Sequence, residues 1–173
     1  MMAMNSLSGM KMTKSLEMQI WKEANLRTVE GCLPQGLALS AAKRGFVAEI
    51  ICKKESMHET TKENKISTDT AKKQERKCKI TGVKIIDKTP AMADIKKSLK
   101  HRSIPLLLVS AEKVHGIKSP HWIAVSKTTG KRVYFHDPLL EKEASLTKKE
   151  FAQMHSQIRD FLNKRMLIIS KKL

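Results

Sequence analysis

SPHWIAVSKTTGKRVYFHDP, residues 119–138, carries apolar residues at every second position on either side of Thr128-Thr129-Gly130. Alternation with a period of two marks a strand that buries one face, and two such runs around a short glycine-containing turn predict a β-hairpin. A three-residue loop is closed by a residue in the left-handed region, where glycine carries no Cβ to clash, so Gly130 is assigned that place. The register then opposes Lys127 to Lys131, Val125 to Val133, Ile123 to Phe135 and His121 to Asp137. His121, Ile123, Val125, Val133, Phe135 and Asp137 share one face, whereas Trp122, Ala124, Ser126, Arg132, Tyr134 and His136 share the other. A slip of one residue would mix these sets, so the apolar pattern supports the assignment of faces independently of the turn.

The consequence is chemical. An imidazole is brought beside a carboxylate at the rim of an apolar surface, which fixes the ring's tautomer, stabilises its cation and leaves the second ring nitrogen to exchange a proton. A structural ion pair at a strand end would place the same two residues together. Catalysis needs a third partner, a thiol or hydroxyl within reach of His121. Cys32, in GCLPQG just before a helix, is the candidate that the residues supply, since a helix N-terminus favours thiolate. Its structural alternative is a small buried hydrophobe in a tight turn. Cys52 ends a strand and Cys78 leaves a charged stretch, and both are weaker candidates.

Elsewhere the chain alternates helical and extended patterns. Residues 15–26, SLEMQIWKEANL, space Leu16, Ile20 and Trp21 as an amphipathic helix capped by Ser15. LALSAAKR, 37–44, reads as a tightly packed helix ending at Gly45, and FVAEIIC, 46–52, as the strand after it. Residues 53–77 hold almost no large apolar side chains and predict a charged surface excursion with a helical piece around TDTAKKQERK. CKITGVKII then gives a short extended segment, and PAMADIKKSLKHR, 90–102, a helix. IPLLLVS, 104–110, is a continuous apolar run of the kind that suits a central strand covered on both faces. Residues 146–165 predict a long amphipathic helix presenting Phe151, Met154, Ile158, Phe161 and Leu162, followed by MLIIS as a last strand. Helices early and strands late predict an α+β fold with a mainly antiparallel sheet, in one domain over residues 1–173.

Composition bounds the function. Lys and Arg exceed Asp and Glu by 34 to 17, a formal net charge of +17, which suits anionic partners: non-specific polyanions, nucleic acid or an acidic protein. The alternative to catalysis is therefore a non-catalytic basic binding protein. Only 4% of the residues are aromatic, too few for the stacking platform of a single-strand binder. Three widely spaced cysteines form neither a metal knuckle nor a paired disulfide set, which points to reduced thiols and a cytoplasmic location. No apolar run spans a bilayer, so no membrane span is expected. His58, His101, His115, His136 and His155 lack a shared ligand spacing, so no metal and no cofactor are expected, and His115 is read as a loop residue shaping the approach to His121.

Over residues 1 to about 170 the chain resembles the cysteine peptidases of papain-like fold related to bacteriocin-processing, double-glycine-leader peptidases, in particular a bacterial branch of them. WKEANL, GCLPQGLALSAAKRGF, IPLLLVSAEKVHGIKSPHWIAVS and VYFHDP carry the resemblance. It implies peptide hydrolysis on a peptide or protein substrate, with His121 and Asp137 as catalytic residues and Trp122 and Pro138 in supporting positions. One departure accompanies it: the family places its nucleophile in a Gln…Cys-Gly-Pro-Ala segment opening the first helix. MMAMNSLSG resembles the continuation of that helix, and neither that glutamine nor that cysteine is present. The expectation is a domain that is truncated at its N-terminus and catalytically incomplete, with exposed core surface that favours marginal stability or self-association. Cys32 falls in the second matching segment, so the resemblance gives it no role.

Overall fold

The computed structural model describes residues 2–9, 11, 13–24, 32–53, 68–117, 119–140, 142–156 and 164–172. Its elements are α1 (Met2–Ser8), α2 (Lys14–Ala24), α3 (Pro34–Lys43), β1 (Phe46–Cys52), α4 (Thr68–Ile80), β2 (Lys84–Asp87), α5 (Met92–Lys100), β3 (Ile104–Ser110), α6 (Glu112–His115), β4 (Pro120–Thr128), β5 (Arg132–His136), β6 (Ala144–Thr147), α7 (Lys148–Ser156) and β7 (Met166–Lys171). The strands form one seven-stranded sheet in the order β2-β1-β7-β3-β4-β5-β6. Every neighbouring pair is antiparallel except β1 and β2, so the α+β class and the mainly antiparallel sheet are as the sequence implies.

Burial on both faces of the central strands follows from their composition. On one face Phe46, Ala48, Ile50, Leu167 and Ile169 meet Ala3 and Met4 of α1, Ile20 of α2 and Ala38 and Ala41 of α3. On the other, Ile51, Leu107, Val109, Ile123, Val125, Phe135, Met166 and Ile168 meet Ile95 of α5 and Phe151 and Met154 of α7. Successive residues of β1, β3 and β7 therefore enter opposite cores, which is why these strands read as uninterrupted apolar runs.

Several boundaries differ from the sequence reading, each for a local reason. Helix α2 is capped two residues earlier than Ser15: the Thr13 hydroxyl accepts from Leu16 N–H at 3.2 Å, satisfying a donor that has no partner inside the helix. Ile20 and Ala24 form its buried face, while Trp21 is 52% exposed. Helix α3 begins at Pro34 rather than at Leu37, because proline's missing N–H costs nothing in a first turn. Gly45, with φ of +81°, ends it as expected.

The charged stretch enters α4 at Thr68, whereas 54–67 lie outside the described residues. Residues 146 and 147, read as helix, belong to edge strand β6. The C-terminal part of that predicted helix, with Ile158, Phe161 and Leu162, lies outside the described residues.

Candidate active site

The hairpin forms, but its turn and register differ from expectation. Thr129 N–H donates to the Arg132 carbonyl at 2.9 Å, and Arg132 N–H donates to the Thr129 hydroxyl at 3.0 Å. Gly130 and Lys131 make the tip, and Gly130 does not adopt positive φ. The threonine hydroxyl supplies a local acceptor, so the turn closes without a left-handed residue. Thr128 then opposes Val133 and Lys127 opposes Tyr134; after a shift in pairing at Ser126, Val125 opposes Phe135 and Ala124 opposes His136.

The pairing beside the site is thus two residues away from the expected one. Because side chains alternate with a period of two, a displacement of two preserves every face, and one extra residue at the bulge absorbs the odd step toward the turn. Continued past the end of β5, this register sets Asp137 against Ile123. His121 becomes a diagonal neighbour, still within reach of an imidazole and a carboxylate.

His121 and Asp137 do meet. His121 Nε2 lies 2.7 Å from Asp137 Oδ1. Asp137 is held by its own turn: Leu139 N–H donates to Oδ1 at 2.8 Å and Leu140 N–H to the Asp137 carbonyl at 3.0 Å, with Pro138 at the second turn position, where its restricted φ is favoured. On the other side β4 pairs with β3, His121 opposite Val109, which anchors the histidine on a central strand.

A second histidine joins them. β3 leads directly into the single turn of α6, where His115 N–H donates to the Ala111 carbonyl at 2.7 Å and Gly116 ends the turn at a φ of +71°. This places His115 Nε2 3.0 Å from Asp137 Oδ2. The two imidazoles stand edge-on, with centroids 5.6 Å apart and planes at 81°. The sequence alone makes His115 a loop residue, and only H-x5-H ahead of an apolar strand hints at more. The contact depends on β3, α6 and the Asp137 turn converging in space.

The carboxylate that both rings share is 1% exposed, and the histidine side chains are 14% and 18% exposed. Burial pushes the Asp137 carboxyl up, but Leu139 N–H and the two imidazoles outweigh it and hold the group below its usual range. Both histidines present Nε2 to this acceptor. Each neutral ring therefore carries its proton on Nε2 and exposes Nδ1 as an acceptor.

Residues 1–171 match the model of a family described as Peptidase_C39 like. The chain belongs to that family. No curated protein and no solved structure matches it. Family membership accounts for the mixed α+β architecture as a papain-like fold, and a cysteine peptidase-like relationship follows from it.

In this C39-like protein Cys32 sits at the entrance to α3, and the Trp122 indole N–H donates to its backbone carbonyl at 2.9 Å. Trp122 follows His121 on β4 and points to the opposite face of the sheet. Among the described residues no hydrogen bond joins the Cys32 thiol to either histidine, and burial pushes that thiol above its ordinary pKa. Cys52 and Cys78 are fully buried, their thiols pushed up to about 11 chiefly by desolvation. Of the three free cysteines, Cys32 alone keeps partial solvent access.

Proposed function

We propose that this C39-like chain hydrolyses peptide bonds through a thiol, with His121 as general base and acid and Asp137 as the group that orients it. One observation carries the proposal: His121 Nε2 is committed to Asp137 at 2.7 Å, which leaves Nδ1 to move protons. Cys32 is assigned the nucleophile because it is the one thiol of three with solvent access; the Trp122 hydrogen bond fixes only its backbone, on the sheet face opposite His121.

In the first step the thiol proton passes to His121 Nδ1 and sulfur attacks the peptide carbonyl carbon. The amine then leaves with that proton, giving a thioester. Water adds in the second step, its proton taken by His121 Nδ1, and the thiol is restored as the carboxylic acid departs. The thiol must come within hydrogen-bond reach of Nδ1 for this, which requires the Cys32 segment to move toward His121 when substrate binds. Burial raises the Cys32 pKa, so the resting group is a thiol and its activation falls to His121.

The test is alkylation of the native protein by a peptidyl thiol-directed reagent, mapped by mass spectrometry. Labelling of Cys32 in preference to Cys52 and Cys78, abolished in His121→Ala, is the expected result. Equal slow labelling of all three, unchanged in His121→Ala, overturns the assignment of Cys32. The net charge of +17 supports a second reading, a basic binding protein that holds nucleic acid or an acidic partner. Binding from charge alone vanishes steeply with salt, so a partner preference surviving near physiological ionic strength would favour that reading.

A further inference from the structure

Two histidines on one carboxylate exceed what is needed to orient a single imidazole. One His–Asp contact already sets the tautomer of His121, and Leu139 N–H already fixes the carboxylate plane. The second ring, His115, comes from a different element and uses the same atom, Nε2, so the two rings and the carboxylate converge on one point rather than forming a chain. The ligating atoms of His115, His121 and Asp137 all lie within 4.8 Å of one another, the one such convergence of three donors among the described residues.

We propose that His115 Nε2, His121 Nε2 and the Asp137 carboxylate bind a zinc ion, with water in the fourth position. Two imidazoles and one carboxylate form a donor set of the borderline kind that suits zinc, and tetrahedral coordination with bonds of about 2.0–2.2 Å separates ligand atoms by about 3.4 Å. The present His–Asp separations of 2.7 and 3.0 Å need to open by roughly half an ångström to admit the ion. Exposure is graded to match: the carboxylate is 1% accessible, while the rings at 14% and 18% leave a route for the metal and its water. Leu139 N–H supplies the outer hydrogen bond that holds the carboxylate in place.

Binding exchanges protons in a defined way. Each Nε2–H bond breaks, a metal–Nε2 bond forms from the freed lone pair, and the proton reappears on Nδ1, so both rings remain neutral. His121 Nδ1 thereby changes from proton acceptor to proton donor. The site itself needs nothing from the peptidase proposal, but its consequence for hydrolysis rests on that proposal: a zinc-loaded His121 has no lone pair to take the thiol proton, so the metal-bound form is silent.

The experiment uses the whole chain, stripped of metal by chelation, with zinc alone as probe. Long-range proton–nitrogen NMR of the imidazoles reports the tautomer of every histidine without reference to activity. The expected result is that one equivalent of zinc, bound at micromolar or lower concentration, moves two imidazoles from the Nε2–H to the Nδ1–H form, and that these are His115 and His121. His115→Gln and Asp137→Asn then each weaken binding at least tenfold in competition with a chromophoric chelator, while His101→Gln leaves it unchanged. Cobalt in place of zinc gives ligand-field bands without the thiolate charge-transfer band that cysteine ligation produces. Absence of any tautomer change, a change confined to other histidines, or a thiolate band overturns the proposal. Because the tautomer signal is read on the unmodified protein, misfolding of a variant does not obscure the answer, and failure of Cys32 to label would not alter it.

Discussion

The Trp122 indole donates to the backbone carbonyl of Cys32 at 2.9 Å, across 90 positions of sequence. This one hydrogen bond holds the entrance to α3 against the strand that carries His121. Trp122→Phe keeps an aromatic ring on this face and removes the donor, leaving a part-buried carbonyl without its partner. The expected loss of stability is about 1–2 kcal/mol, read as a lower urea midpoint. Faster alkylation of Cys32 should accompany it, since the segment is no longer tethered.

Gly36 tests how closely α2 and α3 approach. A Cβ at this position would stand 2.4 Å from the Ala24 carbonyl oxygen and 2.9 Å from its carbon, and both belong to backbone, which cannot swing aside as a side chain can. Gly36→Ala, normally favourable inside a helix, is expected to destabilise the fold by about 1–3 kcal/mol through overpacking. A denaturation midpoint equal to or above that of the wild type would show that the helices separate at little cost.

Asp137 is a structural keystone whatever the protein's activity. Its side chain accepts from Leu139 N–H and faces two imidazoles at 1% exposure. Asp137→Ala leaves these three donors without an acceptor and should cost about 2–4 kcal/mol. Asp137→Asn retains the shape and one acceptor, so it should cost less. Thermal unfolding of the two variants against wild type at neutral pH checks the order.

Acid should weaken the fold in two separate windows. Burial, with Lys164 adding to it, lowers the His155 pKa to about 4, and its Nε2 has no hydrogen-bond partner among the described residues. The unfolded chain binds a proton at this histidine near its ordinary value of 6.5 while the folded chain does not, so stability is full above about 6.5 and declines as the pH falls toward 4. Glu23 acts lower. It is partly buried, which pushes its carboxyl up, but Arg44 at 2.5 Å, Lys43 at 2.7 Å and Ser40 at 2.9 Å overcome this and bring it down to about 2. Its contribution is present above about 4.5 and is lost as the pH falls toward 2. Melting temperature against pH should therefore fall in two stages, the upper flattened in His155→Gln and the lower in Glu23→Gln. A variant curve parallel to wild type in its own window would remove that residue as the cause.

Much of this architecture is local information. The boundaries of β1 and β3 agree with the sequence reading, because strands entering a core on both faces carry an apolar run that side-chain chemistry alone marks out. The shared face of His121, Ile123, Val125, Phe135 and Asp137 was equally legible, since period-two alternation survives any even displacement of register.

Tertiary structure decided the rest. Strand β7, last in the chain, lies between β1 and β3. Its pattern makes it a central strand but names no neighbour, because backbone hydrogen bonds are identical along every strand. Edge strand β6 carries too few apolar residues to announce itself, and the single turn of α6 is too short for a helical period. His115 was missed for the same reason: its partner Asp137 lies 22 residues away, and three elements must be in place before the two approach. Local patterning thus specified which residues face inward and that an imidazole and a carboxylate share a side. Packing of distant elements set the diagonal contact between them and brought in the second histidine, since such contacts arise only once chain segments remote in sequence are held together.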